Sequence, residues 1–151
     1  MRERGFEIVS EYKNEGINLP VRKTAASAGY DIEAAADAVL KPGAVTLIPT
    51  GLKAYMLPDE YLGIHIRSGL AVKKAVSCVN SQGIIDADYY NNQDNEGHIM
   101  VALINHGASE LFIEKGTRIA QGIFYKYLTA DGDEAGTGGK RSGGFGSTGE
   151  K

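Results

Sequence analysis

The chain has 151 residues with 20 Gly, 4 Pro and a single Cys, and its formal net charge is −3 at pH 7. This length predicts one domain, and the single cysteine excludes an internal disulfide framework and a multi-cysteine zinc site. The charge excludes a strongly basic nucleic-acid-binding surface, but a few Arg and Lys side chains can still hold a small anion.

The sequence also lacks the usual marks of secreted and membrane proteins. The N-terminus carries no apolar segment of the kind found in signal peptides. No apolar run approaches the roughly 18 residues that a membrane span requires. We therefore expect a cytoplasmic protein that binds neither nucleic acid nor a membrane.

Short apolar segments separated by turns predict an all-β domain. Leu62, Ile64 and Ile66 alternate with other residue types, as on a half-buried strand, whereas residues 99–104 are apolar on both sides and indicate a strand buried on both faces. Further strands are predicted at residues 45–49, 52–56, 76–80, 111–114 and 118–127. Only residues 69–75 favour a helix. Turns about ten residues apart are typical of a jelly roll, a β-sandwich or a small barrel.

Five segments carry residues suited to chemistry, and the first is residues 28–35. On a strand, Asp31 and Glu33 lie on the same face because side chains alternate. Two carboxylates placed in this way can hold a divalent cation directly or through water. The same pair is typical of a solvent-facing strand edge.

The second segment, residues 67–71, follows the strand that contains Leu62. Arg67 supplies a forked donor for a phosphate, Ser68 supplies a hydroxyl, and Gly69 lets a ligand approach the backbone. If Gly69 opens the short helix, the free N–H groups there face the same anion. A strand-to-helix turn with a capping serine has the same sequence features.

The third segment, residues 80–89, leads from an apolar pair to two acids and an aromatic ring. Asp86 can act as a general base toward water, a role that requires hydrogen-bond reach first. Tyr89 can stack on a sugar or a base. An aspartate-rich β-turn is the alternative interpretation.

The fourth segment, residues 116–121, contains Arg118 and Gln121. Alternation predicts Ile119 and Gln121 on one face of the strand and Arg118 on the other. The two polar side chains then cannot contact one small ligand unless the strand contains a bulge. We therefore expect one of the two to be structural.

The fifth segment lies in a glycine-rich tail, since 8 of the 20 residues in Gly132–Lys151 are glycine. This tail has too few apolar side chains to offset the entropy of ordering it alone. The boundary near Leu128 therefore divides a packed domain of residues 1–128 from an arm of residues 129–151.

One aromatic residue stands among the glycines of the arm. Phe145 can stack on a nucleobase, an interaction worth about 1–3 kcal/mol in proteins that bind single strands. Arg141 and Ser147 can reach phosphates. A flexible linker has a similar composition.

Taken together and in this order, the five segments resemble the five motifs of the trimeric deoxyuridine triphosphatases (dUTPases). The resemblance extends from Ala28 to Gly149 and includes the tail sequence Gly-Phe-Gly-Ser-Thr-Gly. It implies a jelly-roll-like β-sandwich or barrel subunit and a homotrimer with active sites at subunit junctions. It also implies hydrolysis of dUTP to dUMP and pyrophosphate with Mg2+, which limits uracil in DNA and supplies dUMP for dTMP synthesis.

The resemblance implies distinct roles for three side chains in the reaction. Asp86 is the acid that activates the water attacking the α-phosphorus. Tyr89 is the ring under the deoxyribose that leaves no room for a 2′-hydroxyl. Asp31 acts through the water shell of Mg2+, and the metal ion itself is held mainly by the triphosphate.

The remaining motif residues are implied to bind the substrate. A hairpin reads the uracil edge through Asn80, Gly83 and the backbone near Ile99. The phosphates are held by Arg67, Ser68, Gly69 and Gln121. The arm closes over the site through Arg141, Phe145, Gly146 and Ser147, and Phe145 covers the uracil.

The third motif departs from the family pattern, in which the tyrosine is soon followed by glycine and an acid or amide. Here Tyr89 is followed by the longer sequence 90–98, so the hairpin has several additional residues at its tip. This insertion bears on the backbone contacts to uracil expected near Ile99.

Two other functions share parts of the pattern. The dCTP deaminases have the same fold, but they rely on a Glu rather than on an Asp and a Tyr, and they release ammonia from dCTP. A nucleotide-sensing protein is the second alternative, in which ordering of the arm switches a surface that binds a regulatory protein partner. The long hairpin and the glycine-rich arm suggest it.

Overall fold

A computed structural model describes residues 1–134, 143–146 and 148–149. These residues form eleven β-strands, one α-helix and two 3-10 helices, which confirms the predicted all-β class. The strands are β1 (Gly5–Ile8), β2 (Tyr30–Glu33), β3 (Ala38–Leu40), β4 (Val45–Pro49), β5 (Leu52–Tyr55), β6 (Glu60–Ile66), β7 (Val76–Cys78), β8 (Gly83–Asp86), β9 (Met100–Asn105), β10 (Leu111–Ile113) and β11 (Arg118–Lys126). Helix α1 spans Ser68–Lys74, and the 3-10 helices span Ser10–Tyr12 and Ala87–Tyr89.

The strands pair into four antiparallel sheets around one hydrophobic core. Their orders are β2-β11-β6-β8, β4-β9-β7, β1-β5 and β10-β3. The largest fully buried apolar side chains are Ile32, Leu40, Ile48, Leu52, Leu62, Ile99, Leu103 and Ile119. Each such side chain contributes about 1.5–3 kcal/mol when it leaves water, so the core fixes the sheets whose edges carry the polar motif residues.

Most predicted strands are confirmed, with ends that differ by a few residues. The alternation in β6 is present, since Leu62 and Ile64 are 0% and 3% exposed. The strand predicted to be buried on both faces is β9, in which Val101, Ala102 and Leu103 are consecutively buried. Strands β1, β3 and β8 were not predicted because their short sequences carry no clear alternation; pairing with β5, β10 and β6 holds them.

The helix prediction is confirmed for α1, which begins one residue earlier than expected and ends at Lys74. Ala75 then adopts a left-handed φ of 55° and its N–H donates to the carbonyl oxygen of Leu70. No helix in the described part of the chain is long and apolar enough to cross a membrane.

Strand β11 contains a β-bulge, the feature considered from the sequence for residues 118–121. Its pairing with β2 shifts register between Arg118 and Ala120, as a β-bulge does. Ile119 and Ala120 are consequently both buried, at 0% exposure each. The prediction that Ile119 shares a face with Gln121 is therefore wrong, and Arg118 and Gln121 are directed to the same side of the sheet.

Candidate functional site

A cavity of about 280 Å³ lies where β8 faces the start of β9. Its lining includes five of the residues singled out from the sequence, namely Asn80, Gly83, Asp86, Tyr89 and Phe145. Most of the remaining lining is apolar and comes from β6, β8 and β9. The volume is close to the lower limit for small-molecule sites, which suits a nucleobase with its sugar.

Asp86 and Tyr89 reach this cavity because β8 ends beside it. Strand β8 pairs with β6 as far as Asp86, which lies opposite Tyr61. The chain then turns through the 3-10 helix that contains Tyr89. Asp86 is exposed, whereas Tyr89 is only 6% exposed. The end of one strand thus presents a carboxylate and an aromatic ring to the same space.

The Tyr89 ring is held at its hydroxyl end. The hydroxyl donates to the carbonyl oxygen of His98 at 2.7 Å and accepts from Nδ2 of Asn95 at 2.8 Å. A phenol that both donates and accepts in this way has a fixed position and orientation. The ring is therefore a rigid platform.

The structure does not bring Ile99 to the cavity. Ile99 is 0% exposed, and both of its backbone polar groups are bonded within the fold. Its N–H donates to the carbonyl oxygen of Leu52 at 2.8 Å, and its carbonyl oxygen accepts from the Thr50 hydroxyl at 2.7 Å. These groups have no capacity to read a ligand edge.

Met100, the next residue, lines the cavity instead. Backbone groups alternate in direction along a strand, and the Ala102 carbonyl oxygen accepts from the Val79 N–H at 3.0 Å on the side away from β4. The backbone N–H and C=O groups of Met100 therefore point to the same side of β9 as those of Ala102. Since β7 ends at Cys78, the strand edge at Met100 directs an N–H donor and a carbonyl acceptor toward the cavity.

Two further titratable groups lie at or behind this cavity. Burial raises the pKa of the Cys78 thiol, so this lining residue acts as a small apolar side chain. Burial also lowers the pKa of His98. Its Nε2 accepts a hydrogen bond from the Gly51 N–H at 2.9 Å, which requires the neutral imidazole.

A second group of predicted residues lies around Asp31 on β2. The Oδ1 atom of Asp31 lies 3.5 Å from Nε of Arg67, and its Oδ2 atom lies 3.6 Å from Nη1 of Arg118. The second distance is too long for a hydrogen bond, and this buried Oδ2 has no hydrogen-bond partner in the described part of the chain. An unfilled, buried carboxylate acceptor can receive a donor from a ligand or from a metal-bound water.

Gln121 borders the same aspartate. It lies directly opposite Asp31 in the pairing of β11 with β2. Gly29 provides the space for this side chain, because a Cβ atom there would overlap the Gln121 amide oxygen. Arg118 and Gln121 were expected to face one ligand only if the strand contained a bulge. The bulge is present, and both side chains lie beside Asp31.

Ser68 and Gly69 are exposed at the start of α1, directly after Arg67. Arg67 occupies the N-cap position, and no side chain caps the helix there. The interpretation of Ser68 as a capping serine is therefore wrong, and its hydroxyl is not used as a cap. We name Asp31, Arg67, Ser68, Gly69, Arg118 and Gln121 the charged cluster.

The charged cluster and the cavity lie far apart in one chain. Asp31, Gln121 and His65 are in register across β2, β11 and β6, and His65 contacts Gln82 just before β8. From Asp31 to Gln82 this row crosses three strand spacings, or roughly 14 Å. Asp86 lies four residues beyond Gln82, or roughly 13 Å along the strand direction. Asp31 and Asp86 are thus separated by roughly 20 Å, too far to act on one phosphate group.

The described part of the arm approaches the cavity. Gly144 and Phe145 line it, and a Cβ atom at Gly144 would lie 3.2 Å from Cε1 of Tyr89. Phe145 has a left-handed φ of 46° and remains 71% exposed. Gly146 is exposed beside it. The predicted residues Arg141 and Ser147 lie outside the described residues.

Sequence reasoning missed Met100 and Gln82 in the cavity lining. The role of Met100 depends on which backbone groups of β9 already have partners, and that pairing is not visible in one sequence. The third segment includes Gln82, but the sequence predicts no role for it. Across residues 1–134, 143–146 and 148–149, no group of three or more His, Cys, Asp or Glu side chains is arranged to hold a metal ion.

Comparisons with known proteins agree on one family. A family model described as dUTPase matches residues 15–149. The deoxyuridine 5′-triphosphate nucleotidohydrolase of Lactococcus lactis subsp. lactis is 54% identical over 149 residues, which cover 99% of each chain. The crystal structure of the dUTPase from Streptococcus mutans is 44% identical, with a TM-score of 0.80 over 85% of this chain and 99% of that chain. The dUTPase from phage phi11 of S. aureus, 19% identical, shares the fold with a TM-score of 0.73 over 89% of this chain and 96% of that chain.

Proposed function

The chain belongs to the dUTPase family and hydrolyses dUTP, and from this premise we propose how its residues divide the reaction. The cavity at β8 and β9 binds the deoxyuridine part of the substrate. The charged cluster of a neighbouring copy binds the triphosphate, in a homotrimer whose active sites lie between subunits. The separation of Asp31 and Asp86 within one chain, roughly 20 Å, is the observation that carries this proposal.

Uracil is recognised at the strand edge of β9. Its N3–H is a donor and its O4 is an acceptor, so the carbonyl oxygen and the N–H of Met100 form a complementary pair. Cytosine presents the reverse pattern at these positions, and an unpaired buried group costs about 1–3 kcal/mol. The apolar side chains of Ile64 and Val101 in the lining suit the flat faces of the base.

The sugar lies against Tyr89. An aromatic ring offers a 2′-hydroxyl neither a hydrogen-bond partner nor space, so ribose loses hydration without compensation. That penalty corresponds to roughly tenfold to somewhat more than a hundredfold in selectivity. The ring discriminates because its own hydroxyl is fixed by two hydrogen bonds and it cannot move aside.

Asp86 activates the attacking water. The water oxygen forms a bond to the α-phosphorus while the bond from that phosphorus to the α–β bridging oxygen breaks. The water proton passes to the Asp86 carboxylate, and pyrophosphate leaves with the bridging oxygen. The exposed position of Asp86 at the end of β8 suits this role, because a general base must reach its water directly.

The phosphates are bound by the charged cluster. Arg67 supplies a planar guanidinium that can bond two phosphate oxygens at once. Ser68 and Gly69 are exposed beside it and offer a hydroxyl and a backbone N–H. Gln121 adds an amide donor next to Asp31.

The residues of the charged cluster also fit Mg2+ that enters with the triphosphate. The buried Oδ2 of Asp31 has an unfilled acceptor position, which suits a hydrogen bond from a metal-bound water. The metal supplies charge neutralisation at the phosphates when it is bound. Asp31 orients that water shell, and Arg67 and Arg118 keep the carboxylate in place.

The arm completes the site. Phe145 stacks on the exposed face of uracil, and Gly144 and Gly146 let the backbone pass close to the nucleotide. Arg141 and Ser147 bind phosphates as the arm closes. Closure excludes water other than the attacking molecule, which strengthens each charge interaction in the site.

The proposed function is tested by measuring pyrophosphate release from dUTP, dCTP, dTTP and UTP with Mg2+. We expect release from dUTP, little from the other three, and no ammonia from dCTP. Ammonia release from dCTP would identify a deaminase instead. Equal rates with UTP and dUTP would contradict the role of Tyr89.

A further inference from the structure

The inserted loop of residues 90–97 is ordered by its own hydrogen bonds. Asn92 is buried, and its Oδ1 accepts from the backbone N–H groups of Asp94 and Asn95 at 3.0 and 3.1 Å. Asn95 Oδ1 in turn accepts from the Gly97 N–H at 3.0 Å. These side-chain bonds add to backbone bonds within the loop, such as the one from the Asn91 N–H to the Glu96 carbonyl oxygen at 3.0 Å.

The loop is also anchored to the body of the domain. Lys53 is 9% exposed, and its Nζ donates to Oδ1 of Asn91 at 2.6 Å and to Glu96 at 2.7 Å. The hydrogen bond from Lys53 lowers the pKa of Glu96. Tyr90 donates its hydroxyl to Glu7 at 2.5 Å. A loop fixed at both ends in this way can hold a neighbouring side chain in one position.

That contact is Tyr89, which the loop holds at two points. Asn92 Nδ2 donates to the Tyr89 carbonyl oxygen at 2.8 Å. Asn95 Nδ2 donates to the Tyr89 hydroxyl at 2.8 Å. One amide therefore fixes the backbone end of the residue and the other fixes the far end of the ring.

We propose that Asn95 is a positioning residue for sugar selection, which holds the Tyr89 ring against the substrate through the phenol hydroxyl. The inference rests on the proposed role of Tyr89. The Tyr89 hydroxyl donates its single proton to the His98 carbonyl, so a donor from Asn95 is the complementary second bond. Without that donor the ring can shift, and a displacement of about 1 Å is enough to change the rate of an enzyme up to a hundredfold.

The most selective variant for testing this role is Asn95→Asp. It keeps an Oδ1 acceptor for the Gly97 N–H and nearly the same shape, and it replaces the amide donor to the Tyr89 hydroxyl with a charged carboxylate oxygen. The matched control is Gln93→Glu, which makes the same amide-to-acid change on an exposed side chain of the same loop. Tyr89→Phe removes the hydroxyl from the other side of the bond and leaves the loop sequence intact.

The measurement is the ratio of kcat/KM for dUTP to kcat/KM for UTP, together with Tm. We expect Asn95→Asp and Tyr89→Phe each to lower the ratio about fivefold to tenfold. In the Tyr89→Phe background, Asn95→Asp should produce no further decrease, because the bond is already absent. Gln93→Glu should leave the ratio unchanged.

Three results would overturn the inference. One is an unchanged ratio in Tyr89→Phe, which also decides the matter if Asn95→Asp does not fold. Another is a lower Tm of Asn95→Asp with an unchanged ratio, as a purely structural residue would give. The third is an effect of Asn95→Asp that persists fully in the Tyr89→Phe background.

If the proposed role of Tyr89 in sugar selection is itself wrong, the variants give a different result. If Tyr89→Leu, which removes the ring, keeps the wild-type ratio, then Tyr89 does not select the sugar and the role of Asn95 falls with it. If Tyr89→Leu lowers the ratio while Asn95→Asp and Tyr89→Phe do not, only the inference about Asn95 is wrong.

Discussion

The cavity at β8 and β9 and the charged cluster around Asp31 differ in how complete each is within one chain. The cavity has apolar walls, the edge of β9 at Met100, a fixed aromatic ring and a carboxylate. The charged cluster borders a separate cavity of about 370 Å³, lined by charged and polar residues such as Lys23, Glu33 and Arg118. A neutral base and a triphosphate need these two environments, and the fold places them at opposite edges of one sheet.

This difference has a physical cause. Burying phosphate-binding arginines in an apolar cavity would impose a desolvation penalty of several kcal/mol per charge. Keeping Arg67 beside Asp31 at a strand end leaves its side chain 33% exposed and partly paired. Assembly can then bring the two environments together without either one destabilising the subunit.

The largest expected effect is that of Asp86→Asn. The amide cannot accept the proton of the attacking water, so kcat should fall by roughly a hundredfold to ten-thousandfold, while dUTP still binds in the cavity. Turnover and equilibrium binding of dUTP check this. Glu110→Gln, the same type of change on an exposed loop residue, should retain wild-type turnover. Retained activity in Asp86→Asn would remove this residue from the mechanism.

Removal of the residues after Asp133 should have the next largest effect. The described residues of the arm are not among those of the packed core, so Tm and oligomeric state should be unchanged. Turnover should fall by roughly a hundredfold because the base and phosphates are no longer held in place. Scanning calorimetry and steady-state kinetics of the truncated chain measure both quantities. A chain that no longer folds would place the arm in the core.

The charged cluster is tested by Asp31→Asn. Loss of the charge that orients the metal-bound water should raise the Mg2+ concentration for half-maximal activity about tenfold. The matched control is Glu33→Gln, on the same face of β2, whose carboxylate accepts from Asn18 Nδ2 at 3.0 Å. A Mg2+ titration of both variants distinguishes them. Equal responses would mean that Asp31 has no special relation to the metal.

The smallest expected effect is a pH dependence of stability behind the cavity. Burial lowers the pKa of His98 from its ordinary 6.5. Below pH 6.5 the unfolded chain therefore binds a proton that the native state does not, and stability falls as the pH decreases. Above that pH the full stability is present. Chemical denaturation at several pH values should show a smaller decrease of stability in His98→Asn than in the wild type.

The sequence predicted the strands better than their pairing. Alternation identified β6 and β9 because burial follows the period of a strand. The bulge at Ile119 could not be predicted, since Ile119 and Ala120 are both apolar and either could face the core. The same applies to Ile99 and Met100, whose backbone directions depend on the partners that Thr50 and Leu52 provide.

The candidate site was predicted as one set of residues, but its arrangement was not. Asp86 and Tyr89, which the family resemblance assigns to the same site, both line one cavity. Motif spacing could not show that Asp31 lies at the other edge of the sheet, because strand order is set by long-range pairing. The hydrogen bond of Asn95 to Tyr89 could not be predicted either, because the sequence does not show which amides of a polar loop bond a buried hydroxyl. The regulatory protein partner stays a prediction.

The shared active site is tested most directly by mixing two inactive chains. Asp86→Asn lacks the base and Arg67→Gln lacks a phosphate ligand, and each should form inactive homotrimers. In random mixed trimers, about a quarter of the sites (one half times one half) combine an intact Asp86 with an intact Arg67 from another subunit. We expect co-refolded equal mixtures to recover about a quarter of wild-type activity. Recovery no greater than the sum of the two parents would contradict a site shared between subunits.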